Sequence, residues 1–189
     1  MWYLTTKPWD AWAFIADAFS AEECDKIIEY SNKLELKDAS LGGGKGLKKE
    51  YRSNKIGWFA PGPDTEWLYR KLTDITIDVN HQFWQFDLES IPELQFTKYV
   101  NVNDQYKKHL DMGTQSPTYR KLSFSIQLSD ENDYEGCELE FLQSDITETA
   151  PKMRGAIVFF PSYIMHQVTP LLSGERNALV GWVCGPPFK

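Results

Sequence analysis

The chain has 189 residues, 42% of them hydrophobic and 14% aromatic, which is enough to bury the core of one domain. Its formal net charge of −7 lacks the basic balance that duplex binding through phosphate neutralisation needs, so nucleic acid is set aside as a general partner. Three cysteines, at 24, 137 and 184, are odd in number and widely spaced; they imply no disulfide framework and fit a reducing cytoplasm.

The opening residues, 1–18, are rich in Trp, Phe and Ala and read as a short strand or extended arm on the core. They lack a basic segment followed by a long apolar run, so no signal peptide is expected. No stretch approaches the ~18 apolar residues of a membrane span. Ser20 and Glu23 form a capping box, with Phe19 placed to staple onto Cys24. The helix they start is expected to run to about Leu34, with Cys24, Ile27, Ile28 and Leu34 on one face.

Residues 35–62 change character. Residues 42–52 combine glycines with Lys45, Lys48, Lys49 and Arg52. Gly46 follows Lys45, where a phosphate-cradling loop wants Ser or Thr. The stretch reads as a mobile surface loop, or as a lid over a substrate. Asp64 is then a good N-cap for a long helix, because Trp67, Leu68, Leu72, Ile75, Val79, Phe83 and Phe86 repeat at three- and four-residue spacing. His81 falls in this helix and reads as structural.

From residue 93 the period shifts toward two. Strands are expected at 93–100, 104–111, 119–129, 137–142, 155–160, 164–169 and 176–184. Two helices followed by seven or eight short strands give a mainly β fold: a double-sheet jelly roll braced by the helices. The chain reads as a single domain over 1–189, with a helical and strand support region at 1–90 and the jelly-roll core at 91–189. In the third strand Ser123, Ser125 and Gln127 alternate with Leu122, Phe124, Ile126 and Leu128, a polar face that would line a pocket.

Four residues within this core carry chemistry. His109 and Asp111 are two apart, so a strand throws both to one face. His166 comes 55 positions after Asp111, and Arg176 ten residues after that. Two imidazoles and a carboxylate make the facial triad that holds non-haem Fe(II) with its opposite positions open. Arg176 would offer a bidentate fork to a carboxylate co-substrate. It is expected on the strand after His166.

His-x-Asp, a distant His and an Arg ten residues on resemble the 2-oxoglutarate- and Fe(II)-dependent oxygenases, in their prolyl 4-hydroxylase-like branch. The resemblance runs from the helix at Phe19–Cys24 to Trp182. It implies a double-stranded β-helix (cupin-like jelly-roll) core, with His109, Asp111 and His166 as catalytic metal ligands. Arg176, Tyr99 and Gln127 would lie at the co-substrate. Related enzymes carry tyrosines at the spacings of Tyr99 and Tyr106, and often a Tyr near Gln127, where this chain departs. Gly136-Cys137-Glu138-Leu139 stands where relatives often have Gly-Gly-x-Leu. The implied activity is a dioxygenase that uses Fe(II), 2-oxoglutarate and O2, with ascorbate as a supporting reductant, and hydroxylates an unactivated C–H bond. Asp111 points to hydroxylation, since related halogenases have a small residue there. The substrate expected from the branch is a prolyl residue in a peptide or protein. A free amino acid or other small metabolite is the alternative, and a non-catalytic metal-binding interaction domain is a second. A cupin would want His-x-His, and related nucleic-acid demethylases carry a second Arg where Trp182 stands. Oligomeric state stays open.

Overall fold

A computed structural model describes residues 10–39, 50–112 and 120–188. Within them lie, in order, β1 (Ala13–Ile15), α1 (Ala21–Ser31), β2 (Lys37–Asp38), β3 (Lys55–Phe59), α2 (Glu66–Phe83), β4 (Leu94–Tyr99), β5 (Tyr106–His109), β6 (Arg120–Gln127), β7 (Tyr134–Gly136), β8 (Leu139–Gln143), β9 (Ile146–Thr149), β10 (Ile157–Pro161), β11 (His166–Val168), β12 (Leu171–Gly174) and β13 (Arg176–Cys184).

The capping box forms as the sequence predicts. Ser20 Oγ accepts from Glu23 N at 3.2 Å, and Glu23 Oε2 accepts from Ser20 N at 2.8 Å. Phe19 and Cys24 share one buried cluster. The helix stops at Ser31, short of Leu34, because Lys33 N turns to Tyr30 O and Leu34 N to Ser31 O, tightening the end into three-residue turns. Glu23 also pairs with Lys71 Nζ at 2.6 Å and ties α1 to α2. The cap of α2 corrects the expectation at Asp64. Thr65 occupies the N-cap, and its hydroxyl turns back to donate to Ala60 O instead of capping the helix. The helix ends at Phe83, before Phe86, and exposed His81 lies in its last turn.

The strands make a seven-stranded sheet in the order β1-β10-β6-β13-β4-β3-β2 and a four-stranded sheet in the order β5-β11-β8-β9. A β12-β7 ribbon completes them. Alternation along the strands divides the interior in two. Ile157 and Phe159 of β10 join Cys24, Leu68 and Leu72 in a cluster between the large sheet and the helices. Val158 and Phe160 join Phe141, Tyr99 and Leu171 in a second cluster on the opposite face. β6 follows the same rule. Leu122, Phe124 and Ile126 lie in the helix-side cluster, so Ser123, Ser125 and Gln127, all buried, face the other way.

The described part of 35–62 forms strands on both sides of the loop expected at 42–52. It supplies β2 and β3, and β3 pairs along β4 with Gly57 opposite Phe96. Arg52 is no part of a solvated basic loop; it is buried. Lys45, Lys48 and Lys49, and the lid reading of that stretch, lie outside the described residues. Among the described residues no helix is long and apolar enough to cross a membrane.

Candidate active site

His109 closes β5 and His166 opens β11, and the two stand opposite each other in an antiparallel pair. The strand expected to reach Asp111 ends two residues earlier. Asp111 and Met112 instead donate their backbone N–H groups to Ser162 O at 3.1 and 3.0 Å. This turn, rather than strand alternation, swings the Asp111 carboxylate back to the imidazoles. Asp111 Oδ1 lies 3.7 Å from His109 Nε2, and Oδ2 lies 3.6 Å from His166 Nε2. One ligand atom from each of the three falls within 4.8 Å of the others, so the group could hold a single metal ion.

Both imidazoles are oriented in the same way. His109 Nδ1 is 2.8 Å from Lys107 O, and His166 Nδ1 is 2.9 Å from Ile164 O. A carbonyl can only accept, so each Nδ1 carries the proton and each Nε2 keeps its lone pair toward the carboxylate. An outer hydrogen bond that fixes the tautomer of a ligating His is a common feature of metal sites.

The charges fit a cation. Burial raises the Asp111 carboxyl, but the positive charge that His166 and His109 take up when protonated, then hydrogen bonds from Ser123 and Trp182, outweigh it and hold it below the usual carboxylate range. Burial, helped by neighbouring His166, pushes His109 down to about 3. In the unfolded chain a His titrates near 6.5. Between those values the unfolded state binds the extra proton, so this contribution to stability is complete above about pH 6.5 and is lost as pH falls through the window. The metal-free protein should therefore melt at a lower temperature at pH 5 than at pH 7, and His109→Ala should flatten that slope. Melting curves in chelator check this; equal slopes for both proteins would contradict it. Asp111, with its lowered value, adds its own loss only below about pH 4.

Arg176 opens β13, separated from His166 by the short β12 rather than lying on the next strand, and it stands opposite Tyr99 of β4. It is 2% exposed. Its Nη2 donates to Gln127 Oε1 at 2.9 Å, and its Cζ lies 5.5 Å from the Tyr99 ring centre. Arg176 Nε is buried with no hydrogen bond of good geometry among the described residues, and the Tyr134 hydroxyl lies beside the same guanidinium. A buried guanidinium with an open donor is costly unless an anion completes it. The site thus fits a carboxylate ligand. Burial pushes the Tyr99 phenol up to about 12, so it stays a neutral donor. Sequence reasoning missed Tyr134, which comes from β7, a strand it did not expect.

The sequence profile of the 2OG-Fe(II) oxygenase superfamily matches residues 94–184, the span from β4 to β13. A PKHD-type hydroxylase of Prochlorococcus marinus (strain NATL2A) is 30% identical over 156 residues, covering 80% of this chain and 70% of the relative. Other PKHD-type hydroxylases match over shorter stretches, and those alignments span 37% to 40% of the relatives' length. Among solved structures, a Pseudomonas putida prolyl-4-hydroxylase superposes with a TM-score of 0.74 at 21% identity, covering 94% of each chain. A Trichoplax adhaerens prolyl hydroxylase, solved in complex with a hypoxia inducible factor peptide fragment, gives 0.78 at 14% identity, covering 93% of this chain and 84% of that one. These two share the fold: a jelly roll with helices on one face. Sequence identity carried through most of a relative, and a profile laid over the strands that bear both histidines and Arg176, lead to one conclusion: the chain belongs to the 2OG-Fe(II) oxygenase superfamily.

Proposed function

We propose that this protein is a dioxygenase that hydroxylates an unactivated C–H bond, with a prolyl residue in a peptide or protein as its substrate. Membership of the family implies Fe(II), 2-oxoglutarate and O2 as metal and co-substrates. In this reading His109, Asp111 and His166 hold the metal on one side. Arg176 pairs with the distal carboxylate of 2-oxoglutarate, Gln127 fixes one arm of its guanidinium, and Tyr99 and Tyr134 border the same pocket. The bound metal supplies the oxidising chemistry that splits O2 between succinate and the substrate. The chain's share is to hold it, aim the co-substrate and keep the pocket dry.

One observation carries the reading. A His-Asp-His cluster within 4.8 Å shares the fold's interior with a 2%-exposed Arg whose Nε is unpaired. A cation site and an unfilled carboxylate site together match a 2-oxo acid, which presents a chelating end and a carboxylate end. Hydroxylation is supported by the PKHD-type hydroxylase relatives, and a prolyl substrate in a peptide by the Trichoplax prolyl hydroxylase and the peptide in its complex. Free Cys24, Cys137 and Cys184 support a reducing compartment, and we place the protein in the cytoplasm.

The test is a mass screen. The protein is incubated with Fe(II), 2-oxoglutarate, ascorbate and air, with proline-containing peptides in one arm and free amino acids and metabolites in another. The expected product is a peptide heavier by one oxygen atom, formed in step with succinate. Oxidation confined to the small-molecule arm would overturn the peptide assignment.

A further inference from the structure

Arg52 is neither a metal ligand nor a neighbour of Arg176 in the site above. Its sequence neighbourhood, Lys48-Lys49-Glu50-Tyr51-Arg52, reads as solvated surface. The structure instead buries it to 9% exposure and locks it at both ends of the guanidinium. Nε donates to Asn54 Oδ1 at 2.9 Å, and Nη2 donates to Gln95 Oε1 at 2.7 Å. Both partners are themselves buried. The guanidinium lies over the Tyr106 ring, with Cζ 4.3 Å from its centre. Tyr106 stacks in turn on His109, with ring centres 3.5 Å apart and planes inclined by 16°.

The result is a column in which a fixed cation presses an aromatic ring flat against an imidazole. The backbone reinforces it. Arg52 bridges Tyr106, Lys107 N donates to Tyr51 O at 3.0 Å, Ser53 N donates to Gln105 O at 3.0 Å, and the Tyr51 hydroxyl donates to Lys108 O. Residues 51–53 therefore flank the strand that ends in His109. The hydrogen bond from Nδ1 to Lys107 O sets one edge of the His109 ring but leaves rotation about that bond; the stack removes it.

We propose that Arg52 is a positioning residue for the metal centre, acting through Tyr106 to fix the plane of the His109 imidazole. This inference rests on the reading of His109 as a metal ligand. Lys cannot replace Arg52, because a point charge has neither the flat face for the ring nor the two-pronged reach to Asn54 and Gln95. Phe can replace Tyr106, because the contact is ring on ring.

The test uses Co(II), whose visible spectrum reports ligand geometry without turnover, added to the full-length protein free of oxygen. Expected results are an affinity loss of about 10- to 100-fold and an altered spectrum for Tyr106→Leu, in the range for losing a residue that orients a ligand. Arg52→Lys should show a loss of the same kind, and Tyr106→Phe should keep the parent spectrum. Arg52→Lys combined with Tyr106→Leu should be no weaker than Tyr106→Leu alone, since the two act through one contact. If Arg52→Lys does not fold, the Leu and Phe variants at 106, which leave Arg52 and its partners untouched, decide the matter. Parent-like affinity and spectrum for Tyr106→Leu would overturn the inference. Failure of the reading beneath it would look different: a parent that binds no Co(II), or that binds it equally after His109→Ala.

Discussion

Asp111→Ala should bind Fe(II) or Mn(II) more than about 100-fold more weakly than the parent, beyond what loss of an outer-shell partner costs. The carboxylate is the one anion among the three groups, and it sits 3.7 and 3.6 Å from the two Nε2 atoms. Without it a divalent cation would have to be desolvated against two neutral imidazoles alone. The fold should survive. The backbone bonds from 111 and 112 to Ser162 O do not involve the side chain, and Ser123 Oγ keeps Ser162 Oγ at 3.0 Å. Calorimetric titration of Mn(II) under argon, with a melting curve of each metal-free protein, checks both halves. A metal affinity unchanged in a folded variant would remove Asp111 from the site.

Arg176→Ala should leave the metal bound and weaken 2-oxoglutarate by roughly 10²- to 10³-fold. Arg176 is 2% exposed, so its loss would leave the distal carboxylate of the co-substrate buried without its partner. Breaking one side of a buried pair costs about 3–5 kcal/mol, which gives the stated range of affinity. Arg176→Lys is the control for packing. It keeps the charge and most of the stem but loses the fork that reaches Gln127 and leaves Nε free, so it should recover only part of the affinity. Titrating 2-oxoglutarate into the Mn(II)-loaded variants measures this; parent-like affinity in Arg176→Ala would take Arg176 out of the co-substrate pocket.

The parts of this site that could be read in the sequence are those fixed by residue type and local order. His109, Asp111, His166 and Arg176 stand out because few side chains do their chemistry. Ser20 and Glu23 stand out because a capping box is local. The polar face of β6 stands out because strand alternation is a geometric rule. What escaped depends on contacts distant in the chain. Arg52 reads as surface because its neighbours are lysines, whereas Gln95, 43 residues on, buries it. β3 was hidden by Gly57, whose missing side chain makes room for Leu36 and Leu34 against the sheet. The expected strand to Asp111 failed because the hydrogen bonds of that turn come from Ser162. At Cys137 the backbone supplies the cause of a motif visible in the sequence. This residue sits at φ 52, the left-handed region that glycine adopts freely, which explains why a Gly suits that place in Gly-Gly-x-Leu.

The most direct test of the Fe(II)/2-oxoglutarate centre is conversion of 2-oxoglutarate to succinate. The parent, Asp111→Ala and Arg176→Ala are compared with Fe(II) and O2 supplied together, and each withheld in turn. The centre built from His109, Asp111, His166 and Arg176 predicts succinate from the parent only when both are present, and none above background from either variant at the 2-oxoglutarate concentration that half-saturates the parent. Succinate formed by the Asp111→Ala protein at the parent's rate, or none from the Fe(II)-loaded parent with any peptide or metabolite, would contradict it.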